Sequence, residues 1–351
     1  MLRFKIVVVL IFLGCAFFSN AAVNLELIDQ WEHPGEIFDL LVFGKVDKDG
    51  HVVALFFKTP ISLISKKKVT HIIPFGQGPS EMAGCYTFFN YGDDLAFVER
   101  KFKIKVFTKK DGTYVWKENI WLKKGPVAHS PKNGIFFDNK IFLTGFTEPI
   151  QQKTKKENEA NLVRVYDTKG NLLKDLIETK SITGSRLYEM IYHIVPYKND
   201  RLFFLPSNRL KVSVISARSL EVVKEVPLQI PAFYKKMPEH FYFRESYANP
   251  KYDFARDLEE WATGYSRIIT CGVDKNYLVV QIRTCSEKMK KFALLFYNAE
   301  TFKLENTVYT DDFLLDIKDG KYYCFENGEA GLDEEACEDL NINIYKLGQQ
   351  K

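Results

Sequence analysis

The sequence predicts an all-β fold, a six-bladed β-propeller built from four-stranded blades. Three observations predict it: the residue composition, punctuation that returns about every 45 residues, and four short apolar runs within each interval. The 351 residues are 46% hydrophobic and include 29 Phe and 18 Tyr, which suits half-buried pleated surfaces better than a helix bundle. A chain of this size can bury a large core. The punctuation falls at Pro34, Pro79, Pro126, Ser185 and Pro231, at intervals of 45, 47, 59 and 46 residues by subtraction. Self-similarity at such a period marks stacked or circular repeats, and four strands per repeat marks a propeller blade.

In chain order, the N-terminus comes first. Basic Arg3 and Lys5 precede the apolar run IVVVLIFLG and the small-residue stretch SNAA at 19–22. This pattern reads as a secretory signal peptide over residues 1–21, with 22–351 as the propeller. The expected location is periplasmic or extracellular. The alternative is a lipid anchor at Cys15, against which count Phe12 and the apolar residues 16–18. No later apolar run approaches the length of about 18 residues that spans a bilayer. Loss of Arg3 and Lys5 lowers the formal charge from +4 to +2. The remaining runs, Lys66–Lys68 and the Lys/Glu tract at 153–159, lack interleaved aromatics, so nucleic acid is not an expected partner.

Residues 24–31, NLELIDQW, form a strand left over before the first repeat. The second repeat shows all four strands, YTFFNYG, DLAFVERK, FKIKVFTK and TYVWKENIWL, separated by turn signals at Gly92-Asp93 and Asp111-Gly112. The third repeats the order with an insertion at 148–161 between its second and third strands. The fourth and fifth keep the same plan. The sixth offers DFLLDIK, KYYCFEN and NINIYKL and then ends. The spare N-terminal strand supplies its missing edge, which closes the ring and removes an exposed edge.

The stretch IIPFGQGPSEM at 72–82 poses a choice between a phosphate loop and a turn. A phosphate cradle requires a helix behind it, and the next residues are the strand-like AGCYTFF. The stretch is therefore read as the joint between two blades, its glycines and Pro79 shaping a reversal. Gly76, Gly78, Pro79 and Glu81 make it similar to the Gly-x-Gly-Pro-Gly-Glu loop of NHL-like six-bladed propellers, a family common among exported bacterial proteins. Ser80 departs where glycine is usual, and Pro34-Gly35-Glu36 and Gly125-Pro126 are weaker echoes. The resemblance implies a fold far more than an activity.

Propeller geometry puts the blade-to-blade loops and the second-to-third-strand loops on one face. All the long insertions belong to that set: 148–161, CSEKMKK, GEAGLDEEACED and residues 231–264. Within the last, Asn249 and Pro250 start, and Gly264 ends, an expected short helix with Phe254, Leu258 and Trp261 on one side. Function concentrates in such loops, so His129, Arg186, Tyr234, His240 and Tyr242 are the candidate binding residues, for a protein, peptide or glycan ligand. His33, His129 and His240 all fall at or near blade junctions.

Five cysteines remain without Cys15, an odd number that leaves at least one free thiol. Cys324 and Cys337 flank an acidic loop and are the expected disulfide. Cys85 and Cys271 sit in apolar runs and read as buried, inert side chains. No C-x-x-C pair, nucleophile elbow or H-E-x-x-H helix occurs. No cofactor and no metal is assigned. The expected function is thus an exported binding or scaffolding module. The alternative is a propeller hydrolase or lyase at the channel mouth, using His129, His240 or nearby acids with Ca²⁺ as an optional participant.

Overall fold

The computed structural model describes residues 24–38, 41–56, 60–99, 102–123, 127–149, 158–181, 192–207, 209–238, 264–286, 288–326 and 337–348. They form six four-stranded antiparallel sheets arranged as the blades of a ring. The first strand in the chain is β1 (Leu25–Phe38). Blade 1 comes next as β2 (Leu41–Val46), β3 (Val52–Phe56), β4 (Ile61–Ser65) and β5 (Lys68–Ile73). Blade 2 is β6 (Cys85–Tyr91), β7 (Asp94–Glu99), β8 (Lys103–Lys110) and β9 (Thr113–Trp121). Blade 3 is β10 (Val127–Phe137), β11 (Lys140–Pro149), β12 (Asn158–Asp167) and β13 (Leu172–Ser181). Blade 4 is β14 (Tyr192–Tyr197), β15 (Arg201–Pro206), β16 (Lys211–Ser216) and β17 (Glu221–Pro227). Blade 5 is β18 (Ile268–Asp274), β19 (Tyr277–Arg283), β20 (Phe292–Asn298) and β21 (Leu304–Thr310). Blade 6 takes β22 (Phe313–Lys318), β23 (Lys321–Phe325) and β24 (Cys337–Leu347) from the C-terminus and β1 from the N-terminus, in the order β1-β24-β23-β22. Leu25 faces Leu347 and Phe38 faces Cys337 in that closing pair.

The first strand of each blade lies nearest the axis, and burial falls off outward. Middle strands are covered on both faces by neighbouring blades, so VVALF of β3 is buried at every position. Outermost β17, EVVKEVP, is exposed almost throughout. Between blades lie the apolar clusters: Val53, Leu55 and Ile73 of blade 1 pack with Phe88, Phe97 and Phe107 of blade 2, and Trp31 packs with Val52, Phe56 and Tyr323 across the closure. The inner strands approach so closely that a Cβ on Gly272 would lie 2.8 Å from Ile317 Cδ1 of the next blade. Only glycine fits there without a shift of its neighbour.

The structure redraws three expectations. The closing strand runs past residue 31, and Pro34, read as punctuation, lies inside β1; that strand is outermost, the place in a sheet where proline is tolerated. The insertion at 148–161 is shorter than the sequence pattern implies, because β11 continues to Pro149 and β12 begins at Asn158. The Cys324–Cys337 disulfide is not formed. Cys324 is a free, buried thiol facing Asn343, whereas Cys337 opens β24 six residues earlier. That is about 20 Å along an extended strand, well beyond disulfide reach. Among the described residues no helix is long and apolar enough to cross a membrane. The expected helix within 231–264 lies outside the described residues except for Gly264.

Candidate functional site

The loop at 74–84 settles into a joint through a buried cation. Lys105 on β8, 1% exposed, donates from Nζ to the Gly78 carbonyl at 2.8 Å and to the Glu81 carbonyl, and lies 3.3 Å from Glu99 Oε1. The Gly78 N–H donates to Glu81 Oε2 at 2.8 Å, and Ala83 N–H to Glu99 Oε1 at 3.2 Å. Burial alone would raise the Glu99 carboxyl, but Lys103, the Ala83 N–H and Lys105 bring it below its ordinary value. The loop thus turns carbonyls toward an ammonium and gives its N–H to its own glutamate. A phosphate cradle needs the reverse polarity.

The two faces of the ring differ. Turns between first and second or third and fourth strands are short, Asp47–His51 and residues 299–303 being the longest. Polar clamps join neighbouring blades at this hairpin face. Tyr322 O–H donates to Asp274 Oδ2 at 2.9 Å, Tyr197 O–H to Glu300 Oε1 at 2.8 Å, and Lys318 Nζ to the Asp47 carbonyl. Tyr114 O–H donates to Asp47 Oδ2 at 3.0 Å. The opposite face carries the remaining connections, including residues 74–84, 150–157, 182–191, 228–267 and 326–336.

At the hairpin face Asp47, Asp49 and His51 bring three ligand atoms within 4.8 Å of one another, a metal-like grouping. Its centre is taken by a side chain of the next blade. Lys109 Nζ lies 2.8 Å from Asp47 Oδ2, 2.6 Å from Asp49 Oδ2 and 3.1 Å from His51 Nδ1. Burial alone would raise the Asp47 carboxyl; Lys109, the His51 N–H and Tyr114 together hold it below the usual carboxylate range. The grouping is an ammonium site that fastens blade 1 to blade 2.

Titratable side chains also gather near the axis, from four different blades. Lys45 on β2 pairs with Asp316 on β22 at 3.1 Å, and Asp316 Oδ2 accepts the Val46 N–H at 2.9 Å. The Lys45 charge reaches His193 on β14 and Cys271 on β18. Burial first, and Lys45 second to it in the same direction, push His193 down to about 4 against a backbone bond with Ile268. Burial pushes the Cys271 thiol up to about 12. At pH 7 the imidazole is neutral and the thiol protonated, so the pair supplies neither thiolate nor imidazolium.

The sequence-based candidates fare unevenly. Tyr234 is described: its N–H donates to the Pro231 carbonyl at 3.0 Å, and it packs on the cluster between blades 4 and 5. His129 has a described backbone on β10, opposite Thr147, and its side chain lies outside the description, as do Arg186, His240 and Tyr242 entirely. Tyr234 is thus the one candidate of the five with a described side chain, and no two of them are brought together among the described residues. His33 is buried within β1, in the sheet and not in a junction loop. Sequence reasoning missed a different group on the loop face, Lys235, Arg267 and Arg283, whose charges all act on the Cys285 thiol. Arg267 in YSRIITC and Arg283 in QIRTC each end or precede an apolar strand, the only local signal they give.

No protein-family model matches the chain, and no curated protein matches it. Among solved structures, a protein of Bacteroides fragilis assigned as exported is similar over 94% of this chain and 97% of its own, with a TM-score of 0.54 and 11% identity. The WD40 β-propeller domain of Doa1 is similar over 93% of this chain and 98% of its own, with a TM-score of 0.45 and 10% identity. At such identities the first likeness is one of fold.

Proposed function

We propose that the chain is an exported β-propeller that binds a protein, peptide or glycan ligand on the face carrying the long connections. The observation that carries this reading is the asymmetry of the two faces. The hairpin face has short turns joined by inter-blade clamps, whereas long connections leave the other face at several blades. A scaffold whose variable loops emerge together is the usual arrangement for recognition. Export is supported by the Arg3/Lys5, apolar, small-residue sequence at the N-terminus and by the exported assignment of the Bacteroides fragilis protein of similar fold. The NHL-like relationship is supported by Gly76, Gly78, Pro79 and Glu81, which serve as a blade joint. The hydrolase or lyase alternative finds no thiolate nucleophile in the axial group, where burial keeps the Cys271 thiol protonated at pH 7.

The experiment is partner capture by the immobilised mature chain from glycan and peptide libraries. Deleting residues 250–263 should leave the melting transition of the propeller in place and abolish capture. Charge reversals at Lys48 and Asp93 on the hairpin face should leave capture unchanged. Capture lost through Lys48 and Asp93 but insensitive to the deletion would overturn the proposal.

A further inference from the structure

Three cationic residues stand where the connection from blade 4 to blade 5 leaves and rejoins the ring. Lys235 stands on the outgoing segment, Arg267 on the returning one immediately before β18, and Arg283 at the loop-face end of β19. Backbone bonds hold the three segments side by side. Ser266 N–H donates to the Lys235 carbonyl at 2.9 Å, Lys235 N–H to Ser266 Oγ at 3.0 Å, and Arg283 N–H to the Arg267 carbonyl at 3.1 Å. The main chain and the Ser266 hydroxyl therefore hold the three residues on adjoining segments.

Like charges so placed repel, and burying one of them adds a desolvation cost. Arg267 is nevertheless 5% exposed. Burial, and then the Arg283 charge, hold its guanidinium down at about 10, so what disfavours the charge there outweighs everything that favours it. The half-buried Cys285 thiol senses the same field: burial raises it, and Arg283, Arg267 and Lys235 each pull it down. Lys235 is exposed, its ammonium 5.0 Å from the Tyr265 ring centroid. A neck built for packing alone would use apolar side chains. A guanidinium fork with two further cations beside it suits a planar or tetrahedral oxyanion.

We propose that this neck is an oxyanion-binding site, in which Lys235, Arg267 and Arg283 receive a carboxylate, sulfate or phosphate group of the ligand. The site rests on the reading of the loop face as the binding face and names the chemistry that face selects.

Cys285 is a built-in reporter. The folded mature chain is alkylated at pH 9 with iodoacetate or with neutral iodoacetamide, and Cys285 is followed by peptide mass mapping. The iodoacetate-to-iodoacetamide rate ratio at Cys285 should exceed that of a free cysteinyl peptide several-fold. Millimolar sulfate, phosphate or glucuronate should then protect Cys285 from both reagents, while sodium chloride of equal ionic strength should not; the order of the three anions separates a sulfated, phosphorylated or uronate source. The double variant Lys235→Gln, Arg283→Gln leaves buried Arg267 in place to preserve folding, and should lose both the raised ratio and the protection. An ordinary ratio overturns the site, and so does a raised ratio with no protection. Because the readout uses no partner, protection retained while 250–263 proves irrelevant to capture would count against the loop-face reading and not against the anion site.

Discussion

Replacing Lys109 with methionine removes the ammonium at the centre of Asp47, Asp49 and His51. The two contacts it makes with carboxylates differ in worth. Asp49 is 46% exposed, and an exposed pair contributes about 0–1 kcal/mol. The side chains of Asp47 and Lys109 are 1% and 9% exposed, and breaking a buried pair by removing one partner costs about 3–5 kcal/mol. Asp47 keeps the N–H groups of Asp49 and His51 and the Tyr114 O–H, which places the loss near the lower end, about 3 kcal/mol. Unfolding entropy of about 2.1 cal/mol/K per residue gives about 0.7 kcal/mol/K for a chain of this length, so the melting temperature should fall by about 4 °C. Asp49→Asn should cost under about 1 kcal/mol.

Differential scanning fluorimetry at pH 7 compares the two variants. The folded Asp47 pKa lies below its unfolded value, so this stabilisation is present above the unfolded carboxyl range near 3.9 and is lost as pH falls through the folded pKa. The gap between wild type and Lys109→Met should therefore close in acid. Without the ammonium, the three ligand atoms become a site for a divalent cation, and millimolar Zn²⁺ or Mn²⁺ should raise the melting temperature of the variant alone. A Lys109→Met loss no larger than that of Asp49→Asn, or a wild type stabilised equally by the cation, would refute the reasoning.

Lys105→Met strands the Gly78 and Glu81 carbonyls and leaves Glu99 to Lys103 and the Ala83 N–H, which places the loss near the lower end of the range for a broken buried pair, about 3 kcal/mol in urea melts; a loss below about 1 kcal/mol would show that the joint does not depend on it. Gly170 has a φ of +78° and a Cβ there would sit 2.2 Å from the Trp121 carbonyl oxygen, whereas Gly92, φ +62°, has nothing within 4 Å. Gly170→Ala should thus cost clearly more than the roughly 1 kcal/mol expected for Gly92→Ala; equal melting temperatures would contradict the inferred collision. Trp31→Ala should lose about 3–5 kcal/mol, and deleting residues 24–34 should free the β24 edge and produce concentration-dependent light scattering; a deletion mutant that stays monomeric would remove the case for closure by β1.

The blade count was legible because each strand and its turn are local signals, and the closure because one spare strand met one missing strand. The extents of β10–β13 were not legible. Those of β11 and β12 take in the two ends of TEPIQQKTKKENEA, polar residues that read as a loop because nothing nearby in sequence shows which strand they pair with. The disulfide failed for a related reason. Cys324 and Cys337 flank a short loop in sequence, but the register carries Cys337 about 20 Å up the strand from the residue facing Cys324. Lys109 lies 62 residues from Asp47, and that separation offers no spacing to read. Both ends of the connection near Lys235 and Arg267 are adjacent only because the ring makes them so.

A signal was nevertheless present and its usual interpretation is wrong for this architecture. Alternating polar residues in a strand normally mark a solvated face, which assumes that one face of the sheet meets water. In a propeller the middle strands are covered on both sides, so a polar residue there must find a partner or suffer desolvation. Lys105 binds the blade joint. Arg164 on β12 meets Asp175 on β13 through two bonds, 2.7 Å and 3.0 Å. Gln281 on β19 donates to the Asp312 carbonyl at 2.8 Å and accepts the Leu314 N–H at 2.9 Å, tying blade 5 to blade 6. Once the repeat has been counted, each polar residue in a second or third strand of a blade becomes a prediction of a fastener, and its partner should be sought on the neighbouring blade, the adjoining strand or the junction loop. By the same logic, cations at the loop-face ends of such strands that meet other cations, as Arg267 meets Arg283, are the ones to examine for a ligand.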